Sequence, residues 1–128
     1  MATVRLKGTV FSGKSEGAKF VNLSWVRKQV EERLGFAPYP GTLNMKLTAE
    51  SIEMKKPLVR TAGAEILPTR GYCSGRLFKA TLKNVECAVV IPQVSGYPED
   101  VVELISSASL RERLHLVDGS LVEVKVTF

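Results

Sequence analysis

Cysteine and histidine are scarce in this sequence. Cys73 and Cys87 are the only two thiols, too few and too far apart for a zinc cluster. The start, Met1-Ala2-Thr3-Val4-Arg5, lacks the apolar centre of a signal peptide. Reduced thiols in a cytoplasmic protein are therefore expected. His115 is the only histidine, and no neighbour in sequence marks it as catalytic, so a surface or structural role is expected. Aromatic residues make up 7% of the chain, which leaves few stacking platforms for bases, and the lysines and arginines are dispersed along it. No apolar run approaches the roughly 20 residues of a membrane span, so no membrane partner is expected. Repeats, low-complexity tracts and linkers are missing too, which suits one domain over residues 1–128. Gly13-Lys14-Ser15 looks like the end of a Walker A motif. Gly8 stands at the motif's earlier glycine position, but residues 2–11 alternate as a strand and no helical pattern starts at Lys14, so a P-loop is not expected.

What is present is a 45% hydrophobic fraction, enough for a sizeable core, and a net charge of +5. That charge favours anionic partners: nucleotides, nucleic acid or phosphorylated metabolites. The rest of the chain is organised around Tyr39-Pro40-Gly41-Thr42-Leu43-Asn44. Pro40 and Gly41 make a bend, and the alternation that follows predicts a strand with Leu43, Met45 and Leu47 facing a core. Thr42 and Asn44 then share the opposite face, where a hydroxyl and a carboxamide oxygen suit a metal-bound phosphate or a polar ligand. An ordinary half-buried strand with small polar residues outward fits the same spacing.

Residues 2–11 alternate as a strand, with Val4, Leu6 and Val10 on one face. The loop Ser12 to Lys19 holds two glycines, two serines and two lysines, composition that suits either a phosphate cradle or a solvated hairpin connection. Ser24 is expected to cap a three-turn amphipathic helix running to Leu34, with Val26, Val30 and Leu34 on its buried face, Trp25 at core or rim, and Gly35 ending it. Residues 49–70 read as an irregular excursion containing Pro57 and Pro68, with Leu58-Val59 and Ile66-Leu67 as weak strand candidates. Gly71 to Leu82 alternates loosely with Tyr72, Leu77 and Ala80 inward, and Asn84 offers a turn. Cys87 to Ile91 predicts a strand buried on both faces, with Cys87 a core residue and not a nucleophile. A short helix is expected from Pro98, carrying Val101, Val102 and Ile105, with Glu103 leaving on another face. Ser107 is expected to cap a further turn. Asp118-Gly119 marks a turn before a final strand, Leu121 to Phe128. Strands not interleaved with helices predict a mainly β fold, a small closed barrel with one long and one or two short helices.

These pieces, taken in order, resemble the CTP-dependent riboflavin kinases of archaea. The likeness rests on Gly13 to Phe20, Leu34-Gly35-Phe36 through Tyr39-Pro40-Gly41-Thr42-Leu43-Asn44, and Ala88-Val89-Val90-Ile91-Pro92. It continues through Asp100 to Ile105, Leu110 to Leu114 and Leu116 to Val126. Residues 49–70 match nothing in it. The resemblance implies a six-stranded cradle-loop, Greek-key barrel that moves the γ-phosphate of CTP to the 5′-hydroxyl of riboflavin, giving FMN and CDP. It implies that Lys14, Ser15, Glu16, Gly17, Ala18 and Lys19 cradle the nucleotide phosphates, and that Ala108, Ser109, Leu110 and Arg111 contact the nucleotide. Thr42 and Asn44 would hold Mg2+. Ser95 and Glu103 would lie at the flavin end, with Glu103 as the catalytic proton acceptor or as the group holding the hydroxyl in line. Ser95 stands where a threonine is expected. Some relatives carry a preceding DNA-binding helical domain; this sequence starts directly with barrel-like residues, so no nucleic-acid partner is expected, and a monomer is. The competing expectations are a non-enzymatic basic β-barrel that binds nucleic acid or nucleotide, and a sensor that keeps the fold without turnover.

Overall fold

The structure, a computed structural model, describes residues 3–13, 22–60, 64–66, 75–93 and 96–127. Its strands are β1 (Thr3–Phe11), β2 (Leu43–Leu47), β3 (Ala64–Ile66), β4 (Gly75–Leu82), β5 (Val85–Pro92), β6 (Val101–Ile105) and β7 (Leu121–Thr127). Its helices are α1 (Ser24–Leu34), α2 (Ala49–Arg60) and α3 (Leu110–Arg113). All pairings are antiparallel, in the order β4-β5-β6-β2-β1-β7, and β7 returns to β4. The six strands thus form a closed barrel, which leaves no open edge among them. The first half of β4 also carries β3 (Ala64↔Leu77), while its second half closes on β7 (Leu82↔Val124).

Alternation builds the interior. Leu6 and Val10 of β1, Leu43 and Met45 of β2, and Phe78, Ala80 and Leu82 of β4 all point in. They meet Cys87 and Val89 of β5, Val102 and Leu104 of β6, and Val122, Val124 and Val126 of β7. A second cluster lies outside the barrel, where Val26 and Val30 of α1 pack on Leu77, Ala88, Val90 and Ile105. β5 is therefore buried on both faces, as its unbroken apolar run predicts. Burial pushes the Cys87 thiol up to about 12, with Glu86 adding to the effect, which suits an inert core residue. Gly8 occupies an inward position between Leu6 and Val10 on β1, and a Cβ there would overlap the Lys46 carbonyl oxygen of β2. Only glycine lets the two strands cross so closely. Lys83 and Asn84 (φ 48° and 65°) make the two-residue turn between β4 and β5.

Several expectations are corrected. Residues 49–60 are helical, not irregular, and Leu58 and Val59 lie in that helix. Thr48 starts it: its hydroxyl accepts from the Ser51 amide at 3.2 Å, and its carbonyl accepts from the Ile52 amide at 2.9 Å. Pro57 sits inside α2 and contributes no amide hydrogen there. Ile66 does belong to a strand, β3; Leu67, Pro68 and Tyr72 lie outside the described residues. Residues 101–105 form a strand and not a helix, because the run is rich in β-branched residues (Val101, Val102, Ile105) and pairs on both sides, with β2 and β5. Glu99 and Asp100 form the turn leading into it. The cap of α1 is Leu23, with no side-chain hydrogen bond, and Ser24 is already helical. The cap of α3 is Ser109, not Ser107; its hydroxyl accepts from the Glu112 amide at 3.3 Å. Leu77 faces α1, opposite to Ala80. Gly35 (φ 79°) ends α1 as expected, Trp25 packs partly buried against the second cluster, and His115 is exposed.

Candidate active site

Tyr39 to Asn44 reaches the barrel rim by two backbone contacts. The Tyr39 amide donates to the Ser106 carbonyl at 2.8 Å, and the Gly41 amide to the Tyr39 carbonyl at 2.8 Å. The first ties the bend to the end of β6. From there the register of β2 and β6 does the rest: Leu43 pairs with Leu104 and Asn44 with Glu103. Since Leu43 and Leu104 point inward, Asn44 and Glu103 stand side by side on the outer face. Thr42 joins them, as the two-residue spacing predicts.

The three side chains form one polar group. The Thr42 hydroxyl donates to Glu103 Oε1 at 2.7 Å, and its oxygen lies 3.4 Å from Asn44 Oδ1. A hydroxyl has one hydrogen, and the short contact to the carboxylate takes it. Glu103 is only 2% exposed and Asn44 only 8%. A carboxylate so far from water needs donors. Its second donor is Tyr97, whose hydroxyl reaches Glu103 Oε2 at 2.7 Å.

Behind Tyr97 stands Lys55 of α2, 4% exposed. Its ammonium donates to the carbonyls of Val101 (2.8 Å) and Glu99 (3.2 Å) and lies 5.6 Å from the Tyr97 ring centre. Burial pushes this lysine below its usual range, with Asp100 and Glu99 pulling it back up. Neither Tyr97 nor Lys55 stands out in the sequence. The one signal was the spacing Ser51, Lys55, Leu58, a helical stripe hidden because two of its three members are polar.

A cleft of about 170 Å3 opens beside Thr42, walled by Tyr39, Gly41 and Leu43 on one side and by Ser106 and Ala108 to Arg111 on the other. Four expected nucleotide contacts, Ala108, Ser109, Leu110 and Arg111, are thus brought next to an expected metal ligand. Leu110 is a buried core residue. The Arg111 guanidinium donates to Asp118 Oδ1 at 3.0 Å and leans on the Phe11 carbonyl (3.4 Å) and Ser12 hydroxyl (3.5 Å). Ser12 donates to the same Asp118 oxygen at 2.9 Å. Those two contacts, Ser12 first, hold the Asp118 carboxyl below its usual range. The knot fixes the end of β1, from which the sequence runs into Lys14, Ser15, Glu16, Gly17, Ala18 and Lys19. Those six residues and Ser95 lie outside the described residues. The cleft is smaller than the roughly 300–1,000 Å3 of drug-sized pockets, so the described walls enclose a subsite and not a whole ligand. A larger open hollow of about 690 Å3 lies by Lys7, Lys46 and Lys83, and includes none of Thr42, Asn44 and Glu103. Its acid, Glu123, is paired at the surface with Arg5 (3.1 Å) and Lys7 (3.7 Å).

No group of three or more His, Cys, Asp or Glu side chains able to hold a metal occurs among the described residues. The donor set around Thr42 is different: two neutral oxygens 3.4 Å apart beside one buried carboxylate. Neighbouring ligands of an octahedral Mg2+, bound at about 2.0–2.1 Å, are about 3 Å apart, and this cation usually takes one or two carboxylates and fills its shell with phosphate oxygens and water. Thr42 and Asn44 fit that spacing with neutral oxygens, and Glu103 is the carboxylate beside them.

The family model CTP-dep_RFKase, described as "Domain of unknown function DUF120", matches residues 10–126. Among curated proteins, the chain is 40% identical over 131 residues to a riboflavin kinase of Pyrobaculum aerophilum, covering 98% of this chain and 62% of that protein. A riboflavin kinase of Archaeoglobus fulgidus is 41% identical over 128 residues, covering 97% and 55% respectively. One of Methanosarcina barkeri is 35% identical over 127 residues, covering 96% and 56%. The chain thus spans a little over half the length of these relatives. Among the described residues no helix is long and apolar enough to cross a membrane.

Proposed function

The chain belongs to the CTP-dependent riboflavin kinase family, and on that premise we propose that it transfers the γ-phosphate of CTP to the 5′-hydroxyl of riboflavin, giving FMN and CDP. The observation that carries the reading is the hydrogen-bonded group of Thr42, Asn44 and Glu103, whose Thr42 also lines the cleft walled by Ser106 and Ala108 to Arg111. Phosphoryl transfer asks a protein mainly to position groups and neutralise charge. In this reading the nucleotide lies along Ala108 to Arg111, and Lys14 to Lys19 are assigned to its phosphates by the family resemblance alone. Thr42 and Asn44 would hold Mg2+, which would supply charge neutralisation at the phosphate oxygens. Glu103 and Ser95 meet the flavin; Glu103 accepts a hydrogen bond from the 5′-hydroxyl and holds it in line, or takes its proton. The donor preference rests on the family name, and the metal on the fit of the two oxygens.

The test is product formation. Purified protein is incubated with riboflavin, Mg2+ and either CTP or ATP, and flavins are separated by chromatography. FMN with CTP and little with ATP is the expected result. FMN with ATP alone would keep the reaction and overturn the donor; no FMN with either would overturn the reaction.

One observation favours a second reading, polyanion binding. Cations dispersed in the sequence converge in the fold: Arg5 pairs with Lys125 across β1 and β7, and Lys7, Lys46 and Lys83 ring the larger hollow. Affinity for nucleic acid that falls steeply with salt would support that role.

A further inference from the structure

We propose that Tyr97 is a positioning residue, braced by Lys55, that aims the Glu103 carboxylate at Thr42 and thereby sets how well Thr42 and Asn44 take a metal–phosphate group; this rests on the kinase reading above. A carboxylate turns easily about its last bond. In Glu103 both oxygens are held by hydroxyl donors, Thr42 on Oε1 and Tyr97 on Oε2, each at 2.7 Å. That fixes the plane of the group. Thr42 has one hydrogen to give, and giving it to Glu103 sets the direction in which its oxygen can accept. The nearby Asn44 Oδ1, 3.4 Å away, completes a pair of acceptors. The carboxylate plane therefore decides where Thr42 presents its acceptors, and Tyr97 decides the plane.

Tyr97 is held from behind. Lys55 Nζ lies 5.6 Å from its ring centre, a distance at which a cation is attracted to the ring face. The same ammonium bonds the carbonyls of Glu99 and Val101, which bracket Asp100 just before Glu103 on the chain. One side chain of α2 thus fixes both the ring that caps Glu103 and the backbone that delivers it. Lys55 touches none of Thr42, Asn44 and Glu103 among its described contacts, so it acts through Tyr97 and the backbone.

The experiment compares the parent with Tyr97→Phe and Lys55→Met. Binding of Mn2+ in the presence of CDP is measured by electron paramagnetic resonance without flavin, alongside the Mg2+ dependence of turnover and a thermal melt. Losing a hydrogen bond to a charged group should weaken Mn2+ binding by about tenfold in Tyr97→Phe. The Mg2+ needed for half-maximal turnover should rise by a similar factor, and excess Mg2+ should restore most of the lost rate. The melt should stay near the parent's, because the ring is kept. Lys55→Met should shift metal binding in the same direction by less. Metal binding in Tyr97→Phe within about twofold of the parent, whether or not the melt falls, overturns the proposal. A shift in Tyr97→Phe with none in a folded Lys55→Met overturns the brace. A parent that binds neither Mn2+ nor CDP overturns the kinase reading, and this inference with it.

Discussion

Glu103 is the residue whose chemistry is most constrained. It is a buried carboxylate whose described donors are hydroxyls, and in the proposed reaction it faces the hydroxyl to be phosphorylated. Glu103→Gln keeps the shape and loses the charge. Its turnover should fall by at least about tenfold, and a general-base role would make the loss about 10²–10⁴-fold. Steady-state rates of FMN formation, with circular dichroism to confirm folding, check this; a rate within a few-fold of the parent would remove the proton-acceptor role. At this scale the sequence was informative where alternation sets direction. Thr42 and Asn44 do share a face, and Cys87 is an inert core thiol. Tyr97 and Lys55 escaped because their importance comes from contacts across the chain, Lys55 to Val101 for instance, and no local pattern carries that.

Elements were legible when their buried faces were apolar. α1, β1, β2, β5 and β7 follow from spacing. α2 did not, because its buried stripe is Ser51, Lys55 and Leu58, and a proline interrupts it. β6 was misread because Pro98-Glu99-Asp100 has the composition of a helix start, whereas here it forms a turn whose Asp100 carbonyl accepts the Leu47 amide at 2.7 Å. Two predictions belong to this scale. Gly8→Ala forces a methyl against the Lys46 carbonyl where β1 crosses β2, and should cost about 1–3 kcal/mol in denaturant unfolding; an unchanged midpoint would mean that the crossing is looser than it looks. Lys55 anchors α2 with an ammonium that burial pushes below its ordinary value. The folded protein therefore holds this proton less tightly than the unfolded chain does. Between the lowered value and the unfolded value of about 10.4, the contribution of Lys55 to stability should rise with pH. Unfolding curves of parent and Lys55→Met across that alkaline range check it: the difference between them should shift in the parent's favour as pH rises, and a flat difference would contradict it.

For the whole molecule, barrel closure is what gathers the site. β2 and β6 are far apart in sequence yet adjacent in the sheet, so Thr42 and Glu103 meet 61 residues apart. The mainly β class and the six-strand closure were legible from strand count and patterning together with the family resemblance. The convergence of Arg5 and Lys125 was not, because register appears only once the barrel closes. The most direct measurement of the central claim is a crystal structure of the protein with Mg2+, CDP and FMN. The metal should touch Thr42 Oγ1 and Asn44 Oδ1, the nucleotide should follow Ala108 to Arg111, and the flavin should lie toward Glu103. Phosphates seated instead among Lys7, Lys46 and Lys83, with the Thr42–Glu103 pair away from every ligand, would contradict it.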